Sequence, residues 1–281
     1  MAVRLVVDSG SDINQEEAKK LGITLIPIEL RLNDVDYKDG VDITYEEFYN
    51  QLATCITLPK TSQITPIRYQ ELFDSIVEAG DEAVIVCLSS KLSGTYNGAK
   101  MTAENYNGKI HVVDSMNACI GQRILTFYAL ELLKQGKSAK EIAESLEKVK
   151  GKIKLHAVID TLKYLKMGGR VSSITAFAGE MLSIKPLIGV IDGQVKVIGK
   201  AFGTKKAYKQ IIDLCKKDDI NYNMPLVFGY AGNDKTSVES FSNDIISSVS
   251  DKFSKEQTYN IGATIGTHIG PGAVAVAYFE K

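Results

Sequence analysis

The sequence predicts an α/β protein made of two α/β domains, and three observations carry the prediction. Short apolar runs alternate with segments of helical composition along nearly all of the 281 residues, as strand–helix alternation requires. The helical segments carry start and stop signals: Thr44 with Glu47, Ser138 with Glu141 and Thr236 with Glu239 are capping-box pairs, and Gly22 and Gly136 stand at helix ends. The pattern shifts from Asp160, where Leu162 to Arg170 reads as a helix running into a glycine turn, so a junction is expected there, dividing the chain into 1–160 and 161–281.

In order, Arg4 to Val7 is a first strand, closed by Asp8-Ser9-Gly10-Ser11-Asp12. Asp12 is the expected N-cap of the next helix, with Gln15 three residues on. Thr24 to Leu30 reads as one strand, and Pro27 within it implies a sheet edge. Asn33-Asp34-Val35-Asp36 has turn composition, and a helix runs from Thr44 to about Ala53. The hydroxyl-rich segment from Leu58 to Pro66 reads as a loop, with Thr65 capping a helix over Ile67 to Ala79. Ala83 to Cys87 is a continuous apolar run, hence a buried strand, and Asn97 to Ala103 is helical.

Ile110 to Val113 is a strand ended by Asp114-Ser115, and an amphipathic helix follows from about Ala118 to Gln135. A helix from Ser138 to about Lys150 and a strand from Ile153 to Ile159 complete the first unit. Leu162 to Arg170 reads as a helix entering a glycine turn, and an apolar helix is expected over 172–182. Ile188 to Ile198 is a hairpin around Asp192-Gly193. Thr204 is the expected cap of a basic helix to Lys217. A strand at Leu226 to Tyr230, a helix to Val249, a glycine-rich loop at 261–272 and a strand from Val274 to Phe279 end the chain.

Composition narrows the function. Basic and acidic residues number 33 and 34, for a formal charge of −1, so no global field favours nucleic acid or an anionic membrane. The N-terminus reaches Asp8 before a signal-peptide core could form, and no run is long enough for an integral membrane segment. Cys55, Cys87, Cys119 and Cys215 are scattered without a C-x-x-C pair, which fits a reducing cytoplasm. No metal is expected, because His111, His156 and His268 lie far apart. There is no P-loop, and Gly266, Gly270 and Gly272 form a late cluster interrupted by Pro271 rather than a dinucleotide fingerprint.

The stretch Leu88 to Tyr96 is the expected centre of the site. A loop holding Ser93, Gly94 and Thr95 lies between a buried strand and a helix, where α/β proteins place ligands and helix N–H groups face an anion. Ser93 offers a hydroxyl, and Gly94 is expected to let a ligand approach the backbone. Thr61 and Ser62 supply further short donors. His268, preceded by Thr267 and flanked by glycines on a loop, fits a site better than the strand histidines His111 and His156. Arg170, after Gly168-Gly169, is positioned to meet a carboxylate or phosphate. A serine hydrolase would need glycines two residues either side of Ser93, where Lys91 and Thr95 stand.

Five stretches taken together resemble the DegV family: the first strand with Asp8-Ser9-Gly10-Ser11-Asp12; Thr61-Ser62-Gln63 before Thr65-Pro66; Ser89 to Tyr96; Tyr164 to Arg170; and Gly266 to Gly272. They span nearly the whole chain, in the family's order. The resemblance implies a two-domain protein with no catalytic residue and no cofactor, holding one long-chain fatty acid such as palmitate, stearate or oleate between its domains. It implies that Thr61 and Ser93 bind the carboxylate, with Ser62, His268 and Arg170 beside them and Gly94, Thr95 and Thr267 in support. It also implies a separate fatty-acid kinase ATP-binding subunit as partner, forming an acyl phosphate for phospholipid synthesis, and it leaves room for transient contact with a membrane surface. Phe202 departs from a basic residue expected there, which bears on kinase docking more than on lipid binding. The alternative is a hydrolase or transferase acting on a small carboxylated or phosphorylated substrate through Ser93 and His268.

Overall fold

The computed structural model describes residues 2–171, 183–253 and 257–281. From the N-terminus come β1 (Val3–Asp8), α1 (Gln15–Leu21), β2 (Thr24–Ile26), β3 (Glu29–Leu32), β4 (Val35–Lys38), α2 (Tyr45–Thr54), β5 (Lys60–Ser62) and α3 (Pro66–Glu78). They are followed by β6 (Glu82–Cys87), α4 (Thr95–Ala103), β7 (Ile110–Asp114), α5 (Cys119–Lys134), α6 (Ala139–Val149), β8 (Ile153–Val158) and α7 (Lys163–Gly168). The remainder is β9 (Ile184–Ile191), β10 (Gln194–Phe202), α8 (Thr204–Lys217), β11 (Val227–Tyr230), α9 (Thr236–Ser248), β12 (Thr258–Asn260), α10 (Ala263–Ile269) and β13 (Val274–Phe279).

Among the described residues these strands make three sheets. The first, ordered β2-β1-β6-β7, is parallel throughout, and its strands are near-continuous apolar runs because helices cover both faces. The second, ordered β10-β9-β8-β13-β11-β12, is antiparallel except at β11/β12. A small antiparallel sheet, β4-β3-β5, stands apart. The chain is therefore an α/β protein with two main sheets. Because β8 pairs with β13 and β9, a division at 160/161 would separate a strand from its own sheet, and we propose that the two units divide before Ile153.

The second unit carries a separate apolar cluster built from its sheet and from α8 and α9, with Ile211, Phe228 and Phe241 at its centre. Helix α5 joins the two units. It packs on β8, β11 and β13 and also on β1 and β6. It is consequently buried on nearly all sides, including Gln122, Arg123 and Thr126, rather than amphipathic as its composition suggested.

Several local expectations change for physical reasons. Thr24 to Leu30 is two strands, because Pro27 has no N–H for a ladder: β2 joins the parallel sheet and β3 the small one. Asn33 and Asp34 make a two-residue hairpin turn at φ 50° and 61°, and Val35 and Asp36 belong to the strand that follows. Asn14, not Asp12, caps α1, its side chain accepting from Glu17 N at 2.8 Å. Gly203 precedes α8 with no side-chain cap, so Thr204 is the first helical residue rather than the cap. Asp234 accepts the Thr236 N–H at 2.8 Å in place of the box expected with Glu239. Strands β5 and β12 escaped notice because three residues are too few to show alternation. The Asp192-Gly193 hairpin is present, both residues at positive φ (53° and 76°). The helix expected over 172–182 lies outside the described residues. Among those residues, no helix is long and apolar enough to cross a membrane.

Candidate functional site

The loop after β6 is tied down before it reaches the site. Buried Asp8, at the end of β1, accepts hydrogen bonds from Leu88 N (2.7 Å), Gly10 N (2.9 Å) and Gln122 Nε2 (3.1 Å). Burial still pushes its carboxyl up to about 6. On the other side, Ser89 Oγ donates to Gly193 O at 2.7 Å, so the tip of the β9–β10 hairpin docks on the same loop. Ser93, Gly94 and Thr95 then stand where the first sheet's strand ends meet the second unit.

Helix α10 is anchored by two more buried carboxylates. Asp12 Oδ1 accepts from Gly262 N at 2.9 Å, and Asp39 accepts from Ala263 N at 3.1 Å and Thr264 N at 3.0 Å. Negative groups at the first N–H groups of a helix complement its dipole. Burial raises Asp12 to about 7 and also moves Asp39 upward. Arg123, almost wholly buried, bonds Glu17 and the Asp12 carbonyl and stacks 3.9 Å from the Tyr259 ring, holding α5 against both units. The sequence marks Asp12 only as a cap and gives no sign of these roles for Asp8, Asp39, Gln122 or Arg123. Isolated polar residues with partners tens to hundreds of positions away leave no local pattern.

These anchors bring several separate segments of the chain around one cavity of 150 Å³. Its apolar lining includes Ile28, Leu92, Leu165, Val195, Ile265 and Ile269, contributed by both units. Thr61, Ser62, Ser93, Gly94, Arg170 and His268 also line it, so the structure gathers most of the residues singled out in the sequence. Among the described residues, no Asp or Glu lines this cavity.

Two hydrogen-bonded pairs set its chemistry. His268 Nε2 lies 3.0 Å from Thr61 Oγ1, across 207 residues of sequence. Burial, and secondarily the Arg170 charge, lowers His268 to about 4, so the ring is neutral near pH 7. Nδ1 is buried without a partner. A bare acceptor there costs less than a bare N–H, and we therefore assign the proton to Nε2, donating to Thr61. That leaves the Thr61 hydroxyl proton available to a ligand. The second pair repeats the device. Thr95 Oγ1, which accepts from Ile64 N at 3.4 Å, lies 2.9 Å from Ser93 Oγ, and Thr95 N donates to Ser93 Oγ at 3.2 Å. With Ser93 accepting from Thr95, its own O–H is turned outward as a donor. Each clasp hydroxyl is thus supplied from behind and left to give one hydrogen bond.

The remaining candidates differ from expectation. His268 sits in the last turn of α10, not on a loop. Gly168 makes room for it: a Cβ at Gly168 would lie 2.3 Å from His268 Nδ1. Gly94 lines the cavity and is also kept small by the Gln63 side chain, whose Oε1 would be 1.7 Å from a Cβ there. Thr267 commits its hydroxyl to Ala263 O at 2.8 Å. Ser62 is exposed on an edge strand. Arg170 is exposed at the mouth, with Nε on Leu92 O (3.4 Å) and Nη1 on Gly168 O (2.5 Å), so it spans the two units. Hydrolysis through Ser93 and His268 lacks its geometry, because the imidazole bonds Thr61 and among the described residues no base bonds Ser93.

Comparison with known proteins places this arrangement among similar chains. A family model described as "Uncharacterised protein, DegV family" matches residues 2–281. A DegV domain-containing protein of Caldanaerobacter subterraneus subsp. tengcongensis is 34% identical over 285 residues, with 99% of each chain covered. Among solved structures, a DegV family protein of Thermus thermophilus described for fatty acid binding superposes with a TM-score of 0.87 at 29% identity, covering 100% of both chains. A stearic acid-binding protein of Eubacterium ventriosum superposes with a TM-score of 0.87 at 27% identity, covering 100% of this chain and 99% of its own. DegV of Bacillus subtilis, described as a fatty acid binding protein, gives 0.84 at 27% identity, with both chains fully covered.

Proposed function

This chain belongs to the DegV family, and from that premise we propose that it is a non-catalytic carrier of one long-chain fatty acid. The carrying observation is that Thr61 and Ser93, each already hydrogen-bonded to a neighbouring side chain, line one apolar cavity that among the described residues no acidic residue faces. A carboxylate losing its water needs donors in exchange. At roughly 0.8 kcal/mol each, about fifteen methylenes would supply on the order of 12 kcal/mol gross, before ordering costs; a cavity of 150 Å³ is of the size that takes one benzene, so a full tail enters only if the apolar walls part. The tail therefore sets affinity and the clasp sets orientation. Similarity to the stearic acid-binding protein and to the two fatty-acid-binding DegV proteins supports the reading.

In this reading the protein works in the cytoplasm and presents the head group to a separate ATP-binding kinase subunit. A carboxylate oxygen attacks the γ-phosphorus of ATP, the bond to the β-phosphate oxygen breaks, and ADP and an acyl phosphate for phospholipid synthesis result. Arg170 and the clasp lie at the mouth, where another protein can reach them. The test is to load the protein with radiolabelled palmitate, add the kinase subunit and ATP, and trap the product with hydroxylamine. Palmitoyl hydroxamate is expected to accumulate with both proteins and not with either alone. Bound palmitate that yields no hydroxamate would remove the kinase from the account and leave the carrier.

A further inference from the structure

Beside the acyl cavity lies a second one, of 360 Å³, and the two share a wall. Thr61, Arg170 and His268 line both. The second cavity is completed by Thr57, Pro59, Lys60, Tyr164 and Met167, among others, and among the described residues its lining contains two permanent cations, Lys60 and Arg170, and no Asp or Glu. Among the described residues neither cation forms an ion pair with a carboxylate. Elsewhere the chain pairs such groups readily, as in Lys185 with Asp160 at 2.6 Å and Arg68 with Glu29 at 3.2 Å. Met167, 65% exposed, and Tyr164 contribute apolar surface to the lining.

We infer that this second cavity is a phosphoryl subsite, which receives the phosphate of an acyl phosphate whose tail remains in the first cavity. The inference rests on the carrier reading above and adds to it a site for the product. A carboxyl carbon held at the shared wall by Thr61 must place anything bonded to its oxygen beyond that wall. A phosphoryl group carries up to two negative charges on three oxygens, and it calls for cations and hydroxyl donors. Arg170 offers a forked set of donors and Lys60 a mobile point charge. The neutral imidazole of His268 stays between the two ligand charges without adding repulsion to Arg170. The same wall thus reads a carboxylate from one side and an esterified phosphate from the other.

Lys60 separates the two functions, because it lines the second cavity and not the first, and its exposed position on an edge strand tolerates substitution. The probes are palmitate and a β-ketophosphonate of the same chain length, in which a methylene replaces the bridging oxygen of palmitoyl phosphate. Each displaces a fluorescent fatty acid from wild type, Lys60→Ala and Lys60→Arg. The phosphonate is expected to lose about tenfold in affinity in Lys60→Ala, the size of one charge-assisted hydrogen bond, and to recover in Lys60→Arg. Palmitate is expected to change by less than about twofold, since an exposed charge outside its cavity is screened. Equal losses for both probes, or none for either, overturn the subsite. Wild type that binds palmitate and rejects the phosphonate overturns the subsite alone, whereas failure to bind either probe overturns the carrier reading and the subsite with it.

Discussion

Replacing Thr61 and Ser93 together with alanine is expected to weaken palmitate binding by about a hundredfold or more. In the proposed complex each hydroxyl gives one hydrogen bond to a carboxylate stripped of water, and removing a partner from such a group costs about 1–3 kcal/mol, or roughly fivefold to 150-fold. The pair should exceed either single change, because one remaining donor cannot serve both carboxylate oxygens. The fold should persist: both side chains are only partly buried, Thr61 in a three-residue edge strand and Ser93 in the loop before α4, rather than in a core. Displacement titration with a thermal melt alongside checks this. Unchanged affinity in a folded double variant would remove the clasp from its assigned place.

Alanine at Gly168 should do nearly as much harm from outside the clasp. Its Cβ would lie 2.3 Å from His268 Nδ1 and 3.1 Å from Cε1, so the ring must swing away. The 3.0 Å bond to Thr61 then breaks, and Thr61 loses the donor that frees its own proton. Palmitate affinity is expected to fall about tenfold or more. Gly169→Ala is the control. That residue sits at φ +67° with nothing within 4 Å of a Cβ, so alanine costs about 1 kcal/mol in stability and should leave affinity alone. The two variants therefore separate a lost ligand contact from a loosened turn. If both lower affinity equally, or if Gly168→Ala binds palmitate like wild type, His268 does not act through Thr61.

The sequence made the scaffold readable wherever a physical signal is local. The last strand was placed at Val274 to Phe279 residue for residue, because six apolar residues follow a glycine turn. The Asp192-Gly193 hairpin was legible because few residue pairs accept two positive φ values in a row. The capping boxes at Thr44 and Ser138 were legible as reciprocal pairs three residues apart. Capping failed where a competitor stood nearby, as Asn14 did for Asp12 and Asp234 for Thr236.

For the candidate site, short polar residues next to glycines marked separate segments, and the structure brings Thr61, Ser93, Arg170 and His268 to one cavity. Their order of importance could not be read. Thr61 pairs with His268 across 207 residues, and nothing local distinguishes it from exposed Ser62. Glycines were read for what they permit a ligand to do, whereas Gly94 and Gly168 are shaped by Gln63 and His268. The acyl wall was illegible for a simpler reason. Ile28, Leu165, Val195 and Ile265 are ordinary core residues in sequence, and their shared cavity exists only after two sheets have closed on α5.

The central claim is that a fatty acid occupies this cavity, and native mass spectrometry of the purified protein tests it most directly. The account predicts a complex heavier than the bare chain by the mass of one long-chain fatty acid, released as a free carboxylic acid on denaturation and lost in the Thr61→Ala/Ser93→Ala variant. A chain that stays at its bare mass after incubation with palmitate, or that carries a small polar anion instead, would contradict it.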